Sequence, residues 1–346
     1  MPYKLATYFG IGGLVLLGVV FWYQPFANVE DNLFLQENVP FSILEIPKKT
    51  TILVFGDVML DRSVRKYIDE HGTAALFKYV QKDVDAADIT LINLEGPITT
   101  YESVVSKENL QFTFATHTAL DLSVVGVDIV SLANNHTNNF GLSGLKQTRG
   151  YLDNAKISYF GDPSNTESQL AYLLKKEKLT VSFVGYHQFE NPEFTPIQNK
   201  IKEEKQKGNF VVLYPHWGIE YEKKAGAKER DLAQSAVIAG ADMVIGAHPH
   251  VVQDMDAYEG KPIFYSLGNF IFDQWFTPDV QEGLALLLTF SDNTLVSIEL
   301  KPFIRERYQP KWLEGDERGA WCNVYTKEVS FQKDSENTCM LSTKEV

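Results

Sequence analysis

The sequence contains little cysteine, and this scarcity argues against one class of metal site. Only Cys322 and Cys339 occur among the 346 residues, and both lie in the last part of the chain. Neither belongs to the stretches that carry histidines or carboxylates, so we do not expect thiolate ligation of a metal. In an oxidising compartment the two cysteines could form a small disulfide loop that pins the tail; the alternative is two free thiols.

Dense clusters of positive charge are also missing. The chain has 32 Lys and Arg residues against 45 Asp and Glu residues, which gives a formal net charge of -13. Because no basic cluster is dense enough to follow phosphates, the composition argues against a nucleic-acid partner. The hydrophobic content of 44% is enough for a large core, which fits one catalytic domain of roughly 250 residues plus appendages.

Charge is absent from one long run near the start of the chain. Residues 5–23 contain no charged side chain, follow Lys4, and are numerous enough to span a bilayer. A cleavable signal peptide is the alternative, but residues 24–27 match a cleavage site poorly. We therefore predict an uncleaved membrane anchor over residues 1–23, a linker over residues 24–49, and a single-pass cell-membrane protein whose remaining chain is extracytoplasmic, in the periplasm or at the cell surface.

Apolar runs alternate with helical patterns from about residue 50 onward. A buried strand over residues 51–55 is followed by helices, including one over residues 73–86, and then by a strand over residues 88–94. This order is typical of a βαβ unit. Later strands follow one another directly, so we predict an α/β domain over residues 50–301 in which two mixed sheets pack together between helices.

The chain becomes more polar after this domain. Residues 302–346 lack a clear hydrophobic period, and residues 314–319 contain two glycines among charged side chains. We predict an irregular C-terminal extension that wraps the domain, with a loop over residues 314–319.

Side chains that can bind metal follow several of the predicted strands. The stretch from residue 240 to residue 252 reads as a short apolar strand that ends in His248 and His250. Alternation along a strand would point both side chains to the same side, and Pro249 fixes the local turn so that the two imidazoles converge. Four other apolar strands run into a polar residue of this kind: Asp57, Glu95, His136 and His216. Because open α/β sheets place ligands at the carboxyl ends of strands, we interpret the repetition as one shared site. The alternative is that the two histidines only cap a loop.

Six short motifs occur in order over about residues 51–272. They are Gly56-Asp57-Val-Met-Leu-Asp61-Arg62, Asn93-Leu-Glu95-Gly96, Asn134-Asn135-His136, His216-Trp217-Gly218, Gly246-Ala-His248-Pro-His250 and Ser266-Leu-Gly-Asn269-Phe270. As an ordered set they resemble the bacterial capsule-synthesis protein CapA family, which is linked to poly-γ-glutamate capsule production. That family is similar to calcineurin-like metallophosphoesterases, so the resemblance implies a four-layer α/β/β/α sandwich.

The resemblance also implies a role for each matching side chain. The implied metal ligands are Asp57 and His250 for a first ion, Glu95 as a bridge, and Asn135, His216 and His248 for a second ion. His136 would be the uncoordinated acid that protonates a leaving group. Imidazole, amide and carboxylate donors imply one or two divalent transition-metal ions, Mn, Fe or Zn, in preference to Ca.

The chain departs from the wider superfamily at three of these positions. Met59 stands where a D-x-H motif has histidine, Glu95 replaces a bridging aspartate, and Thr137 follows His136 where an acidic residue would orient it. The first ion has therefore lost a ligand. Either Asp61 replaces that ligand, or the site holds one tight and one weak ion.

Several of these residues also have structural explanations. We keep as alternatives that Asp57 and Asp61 are helix N-caps, that Glu95 forms a buried ion pair with Arg62, and that Asn134 and Asn135 hold left-handed turns. The residues expected to line the site are Asp61, Arg62, Asn134 and Asn269.

Three functions are compatible with such a site. The resemblance favours a role in synthesis, transfer or anchoring of a polyanionic capsule polymer, such as poly-γ-glutamate, at the membrane surface. The same residues would suit a metal-dependent phosphoesterase in which the metals clamp oxygens and His136 protonates the leaving group. The third function is a non-catalytic, metal-stabilised binding module within a membrane synthesis complex. If the protein is an enzyme, we expect a metal-dependent hydrolase that cleaves phosphoesters or amides.

Overall fold

The computed structural model describes residues 48–103, 110–165, 168–326, 332–333 and 339–342. The predicted anchor and all but the last two residues of the predicted linker lie outside these ranges. Among the residues that are described, no helix combines the length and the apolar character needed to cross a membrane.

Strands and helices alternate in the first half of the described chain. The strands are β1 (Lys49–Val58), β2 (Ile89–Leu94), β3 (Ile129–Ser131), β4 (Ser158–Phe160), β5 (Ala171–Lys176), β6 (Leu179–His187), β7 (Phe210–His216), β8 (Met243–Ile245), β9 (Met255–Tyr258), β10 (Lys261–Phe264), β11 (Asn269–Ile271), β12 (Glu282–Ser291), β13 (Thr294–Glu306), β14 (Gln309–Trp312), β15 (Gln332–Lys333) and β16 (Met340–Ser342). The helices are α1 (Arg62–His71), α2 (Ala74–Phe77), α3 (Gln81–Ala86), α4 (Thr118–Val124), α5 (Gly141–Ala155), α6 (Thr195–Gln206), α7 (Ala227–Ala239) and α8 (Gly315–Tyr325).

The strands form two mixed sheets. The first has the order β15-β16-β13-β12-β1-β2-β3-β4, with β11 paired to β1 and β14 paired to β13. Its strands β1 to β4 are parallel, whereas β12 and the strands beyond it are antiparallel to their neighbours. The second sheet has the order β5-β6-β7-β8-β10-β9, with parallel pairs in the centre and antiparallel strands at both edges. The prediction of mixed α/β sheets is confirmed.

Side-chain alternation along the strands builds the core in layers. In β1, Leu53 packs with residues of helices α1 and α5, whereas the adjacent Ile52 packs against the second sheet. In β7, Val212 belongs to the cluster between the sheets, whereas Leu213 packs against α6 and α7. Helices therefore cover the outer face of each sheet, and the two inner faces pack together.

A close approach between β1 and the segment before β11 shapes the end of β1. A Cβ atom at Gly56 would overlap the carbonyl oxygen of Gly268, so only glycine fits there. The next residue, Asp57, pairs in register with Asn93 of β2 on one side and with Asn269 of β11 on the other. The parallel pairing thus gathers three polar side chains where these strands meet.

The C-terminal part of the chain is more regular than predicted. β13 continues through residue 302, and the predicted loop over residues 314–319 instead begins α8, so both expectations are wrong. The helix is stabilised by tertiary contacts that a hydrophobic period does not reveal, because Trp321 and Cys322 pack in the cluster that contains Leu300 of β13. Cys322 forms a disulfide with Cys339, which decides between the two alternatives left open for the cysteines.

The helix predicted over residues 73–86 is divided. α2 and α3 are separated by residues 78–80, and Val80 donates its backbone N–H to the carbonyl of Phe77, as in a tighter turn. The apolar spacing is nonetheless informative, because Leu76, Phe77, Val80 and Val84 are all buried.

Candidate metal centre

Asp57 is the carboxylate that ends β1. It is fully buried; its Oδ1 accepts a hydrogen bond from Nδ2 of Asn93 at 2.7 Å, and its Oδ2 accepts one from the backbone N–H of His248 at 3.1 Å. The ring Nδ1 of His250 lies 3.3 Å from the same Oδ2. Each carboxylate oxygen can accept two bonds, so Asp57 is held in place and still has lone pairs for a metal ion.

Glu95 follows β2 and has no such support. Its side chain is fully buried, and neither carboxylate oxygen has a hydrogen-bond partner among the described residues. The nearest ring nitrogens are Nε2 of His250 at 3.7 Å and Nε2 of His136 at 3.9 Å from Oε1. Burial, followed by the negative charges of Asp57 and Glu220, raises the pKa of Glu95 well above its usual value of 4.5. A buried carboxylate of this kind is costly unless a cation compensates it.

Asp57, Glu95 and His250 form a first set of metal donors. One ligand atom from each lies within 4.8 Å of the others, and all three side chains are buried. Two carboxylates and one imidazole suit a divalent transition metal. These are the residues that the sequence assigns to the first ion and the bridge.

A second donor set lies beside the first. Oδ1 of Asn135 is 2.9 Å from Nε2 of His216, and that nitrogen is 3.1 Å from Nδ1 of His248. Two ligands about 2.1 Å from one ion, at roughly 90–110° to each other, lie about 3.0–3.4 Å apart. The second set therefore has the spacing of donors that share an ion.

The two histidines of the Gly246 to His250 motif converge through a turn. β8 already ends at Ile245, and His248 and His250 have positive φ angles of 98° and 60°. Alternation along a strand, as read from the sequence, is therefore not what brings the rings together. Such backbone costs roughly 1–3 kcal/mol per residue, and strain of this size is typical of functional sites.

The imidazoles of the second set are in the form that binds metal. Burial lowers the pKa of His216 well below 6.5, and burial with the nearby His250 lowers the pKa of His248 to about 2. Both rings are therefore neutral at physiological pH, and neutral imidazole is the form that ligates metals.

His136 lies at the edge of both sets without joining either. Its Nδ1 is 3.3 Å from Nδ2 of Asn139, whose amide nitrogen also donates to the carbonyl of Leu110 at 3.1 Å. Its Nε2 is on the side of Glu95, 3.9 Å from Oε1 of that residue. Burial, followed by the charge of His250, lowers the pKa of His136 to about 4. The ring is therefore a neutral hydrogen-bond donor at neutral pH.

Asp61 and Arg62 are engaged in other contacts. Asp61 is the N-cap of α1; its Oδ1 accepts from the backbone N–H of Arg62, and its Oδ2 accepts from the backbone N–H of Thr113 at 2.9 Å. Arg62 pairs with Asp273 through both Nε and Nη2. The N-cap alternative thus describes Asp61, and the ion pair of Arg62 is made with Asp273 in place of Glu95.

Asn134 and Asn269 act on the backbone and on the ligands. Oδ1 of Asn134 accepts hydrogen bonds from the backbone N–H groups of His136 and Thr137, which fixes the turn after β3. Oδ1 of Asn269 lies 3.0 Å from Nδ1 of His250, and its Nδ2 donates to the backbone carbonyl of the same histidine at 3.2 Å. Asn269 therefore orients a candidate metal ligand, as residues behind metal sites typically do.

Two residues of the centre are missed by the sequence reasoning. Asn93 donates to Asp57 and lies 3.1 Å from Nδ1 of His216, and its position two residues before Glu95 on a strand is a signal that could have found it. Glu220 has a carboxylate oxygen within 4.8 Å of ligand atoms of His248 and His250. It lies in irregular chain after β7, where no periodic signal exists.

The orphaned Glu95 and the two donor sets together fit one or two divalent cations. The residues that would hold them are Asp57, Glu95, Asn135, His216, His248 and His250. The molecule thus has two packed α/β sheets with a metal-type donor centre at their strand ends, as the likeness to metallophosphoesterases implies.

Comparison with known sequences then defines the family. The family described as "Bacterial capsule synthesis protein PGA_cap" matches residues 51–274, and the chain belongs to it. The chain is 30% identical over 241 residues to "PGA biosynthesis protein CapA" of Bacillus subtilis (strain 168), a match that covers 64% of this chain and 63% of that protein. It is 28% identical over 286 residues to "Capsule biosynthesis protein CapA" of Bacillus anthracis, which covers 76% of this chain and 69% of that protein.

A solved structure shows the same fold. The crystal structure of a hypothetical protein from Thermus thermophilus aligns with a TM-score of 0.50 and 18% identity, over 74% of this chain and all of that one.

Proposed function

We propose that this protein acts in the synthesis, transfer or anchoring of a capsular polymer such as poly-γ-glutamate, through a divalent metal centre in an extracytoplasmic domain. Family membership and the names of the two Bacillus relatives support the pathway. The observation that carries the metal centre is Glu95, a fully buried carboxylate without a hydrogen-bond donor, at the junction of two donor sets. Mn, Fe or Zn suits these donors.

The chain's own residues divide the work in this proposal. Asp57, Glu95 and His250 hold one side of the centre, and Asn269 keeps the ring of His250 in place. When bound, the ions polarise substrate oxygens and lower the pKa of water. His136 offers its Nε2 proton to a negatively charged oxygen or a leaving group at the same place.

The charge of the protein constrains how a polyanion would bind. The formal net charge is -13, and the guanidinium of Arg62 is already paired with Asp273. An acidic polymer is therefore repelled over most of the surface, and the metal ions are the positive charge available to it at the centre. We expect the polymer to bind through one carboxylate or amide group at the ions.

Localisation belongs to the same proposal. A disulfide between Cys322 and Cys339 is typical of proteins from oxidising compartments, which supports an extracytoplasmic domain. The charge-free run of residues 5–23 would anchor it to the membrane as a single-pass segment. Partners at that surface would be the polymer and a membrane synthesis complex.

A phosphoesterase is the second candidate, and the placement of His136 favours it. Its Nε2 is 3.9 Å from Oε1 of Glu95, where it can protonate the leaving oxygen of a phosphoester. A site that can activate water serves amides and phosphoesters equally, so the donor set does not distinguish the two substrates.

One incubation compares these functions. The full-length protein in detergent, loaded with Mn²⁺, is incubated with poly-γ-glutamate and with bis-p-nitrophenyl phosphate, beside His136→Ala and the control His117→Ala. His117 is an exposed histidine that contacts Asp121. We expect the polymer to be cleaved or transferred by the wild type and by His117→Ala, but at least about 100-fold more slowly by His136→Ala, because general acid groups contribute roughly that much.

The metal content of His136→Ala should equal that of the wild type, since His136 belongs to neither donor set. Turnover of the phosphodiester alone would replace the polymer function with the phosphoesterase. Binding of the polymer without any turnover would leave a non-catalytic binding module.

A further inference from the structure

The segment after β7 places a third carboxylate beside the metal centre. A carboxylate oxygen of Glu220 lies within 4.8 Å of one ligand atom on each of His248 and His250. His248 belongs to the second donor set and His250 to the first, so Glu220 stands next to both. Its side chain is on the solvent-exposed side of this otherwise buried group.

The backbone holds this segment against the histidine turn. Trp217 donates its backbone N–H to the carbonyl of Ala247 at 3.1 Å, and Tyr221 donates its own to the carbonyl of Pro249 at 2.8 Å. These two bonds flank Glu220 and connect to the residues on either side of His248. Glu220 is therefore carried on a turn that is fixed relative to the two imidazoles.

The centre has room for such a ligand, because one expected donor is missing. Met59 occupies the position where the wider superfamily has an imidazole, and its Sδ accepts the backbone N–H of Asp61 at 3.1 Å within the apolar core. The first donor set is therefore left with three protein ligands. Asp61 does not replace the missing one, since its oxygens accept from the backbone N–H groups of Arg62 and Thr113 and from the Ser103 hydroxyl, and it lies in neither group of candidate donors.

Charge balance points the same way. Asp57, Glu95 and Glu220 provide three carboxylates, and Arg62 is paired with Asp273. One divalent ion balances the two buried carboxylates, Asp57 and Glu95, and a second ion balances the exposed carboxylate of Glu220. The orphaned oxygens of Glu95 are an independent sign that the same place expects cations.

From these contacts we propose that Glu220 is a metal ligand that compensates for the imidazole lost at Met59, so that the centre completes the binding of its first ion with a carboxylate from the segment after β7. This inference rests on the metal centre of the proposed function. It adds a ligand from the exposed segment after β7, and it makes tight binding of one of the two ions depend on Glu220.

The test measures binding directly, without turnover. The full-length protein, stripped with chelator, is titrated with Mn²⁺ or Zn²⁺ by competition against a fluorescent chelator, and its Co²⁺ form is examined by visible absorption. Three forms are compared: the wild type, Glu220→Gln and the matched control Glu222→Gln. Glu222 is an exposed glutamate in the same segment and belongs to neither donor set.

We expect the wild type and Glu222→Gln to bind two ions, and Glu220→Gln to bind one of them about 10–100-fold more weakly, with a changed Co²⁺ spectrum. Equal affinities and equal spectra for all three proteins would overturn the role of Glu220 while leaving the metal centre intact. A wild type that binds no ion would overturn the metal centre itself, and the role of Glu220 with it. Thermal melts of the chelated proteins verify that each variant is folded.

Discussion

Glu95 and Asp57 are equally buried, but replacing each carboxylate by its neutral amide should change the stability of the metal-free protein in opposite directions. Without metal, Glu95 has no donor for either oxygen, whereas Asp57 accepts from Asn93 and from the backbone of His248. Glu95→Gln removes a buried group whose ionisation nothing in the metal-free protein compensates. Asp57→Asn replaces one accepting oxygen by an amide nitrogen, which is itself a donor. That nitrogen must face one of the two groups that donate to Asp57, the side chain of Asn93 or the backbone N–H of His248.

The magnitudes follow from these contacts. An unsatisfied buried polar group costs about 1–3 kcal/mol, and a hydrogen bond to a charged group contributes about 1.5–3 kcal/mol. A stability change of 1 kcal/mol shifts the melting temperature of a domain of this size by about 2–4 °C. With chelator present, Glu95→Gln should therefore melt several degrees above the wild type. Chelated Asp57→Asn should melt several degrees below it.

The pH dependence gives this prediction a second signature. The pKa of Glu95 is raised in the folded protein, so without metal the folded state takes up a proton that the unfolded state releases above about pH 4.5. The wild type therefore loses stability relative to Glu95→Gln as the pH rises above 4.5, and the difference shrinks toward and below that pH.

Saturating Mn²⁺ should make the wild type melt at a higher temperature than Glu95→Gln, the reverse of the order with chelator. A ligand at 100 times its Kd stabilises the folded state by about 2.7 kcal/mol, and the variant that has lost the Glu95 carboxylate should gain less. The assay is differential scanning calorimetry at several pH values, with chelator or with Mn²⁺. A chelated Glu95→Gln that melts below the wild type at pH 7 would refute the reasoning, as would an increase in melting temperature for Asp57→Asn.

Two further predictions concern the scaffold around the centre. Gly56→Ala should destabilise the protein by about 1–3 kcal/mol, because its Cβ meets the carbonyl of Gly268, whereas Gly150→Ala in α5 meets nothing within 4 Å and should be neutral or stabilising in urea denaturation. Equal urea midpoints for these two variants would contradict the close approach. Replacing both Cys322 and Cys339 with serine should lower stability by about 2–4 kcal/mol, because the disulfide closes a loop with a sequence separation of 17, and an unchanged midpoint would argue against that contribution.

Local pattern carried much of the information about the centre. Parallel strands of a sheet end at the same edge, so polar residues after several apolar runs indicate one shared site without any knowledge of packing. That reasoning named Asp57, Glu95, His216, His248 and His250, and the structure brings all five together. Each strand and helix could be recognised by itself, because the spacing of apolar side chains is a local property of the chain. The order of these elements then predicted two mixed sheets.

Contacts between distant segments decided the rest. Asp57 and Asp61 are four residues apart in the same motif, and nothing local distinguishes them. Asp57 lies opposite the backbone of His248, whereas Asp61 accepts the backbone N–H of Thr113 and caps α1. Which of two similar carboxylates remains available for a metal depends on where unpaired donors arrive from other parts of the chain.

The same limit explains the residues that the pattern missed. Glu220 reaches the centre because two backbone hydrogen bonds hold its segment to the turn of His248 and His250. Helix α8 is stabilised because its own Trp321 and Cys322 pack into the core cluster that contains Leu300. The sequence by itself determined which residue types end the strands and which strand faces are apolar, since both are local properties of the chain. Only the tertiary structure decided which side chains meet and which buried charge is left without a partner, because those outcomes depend on hydrogen bonds between segments far apart in sequence.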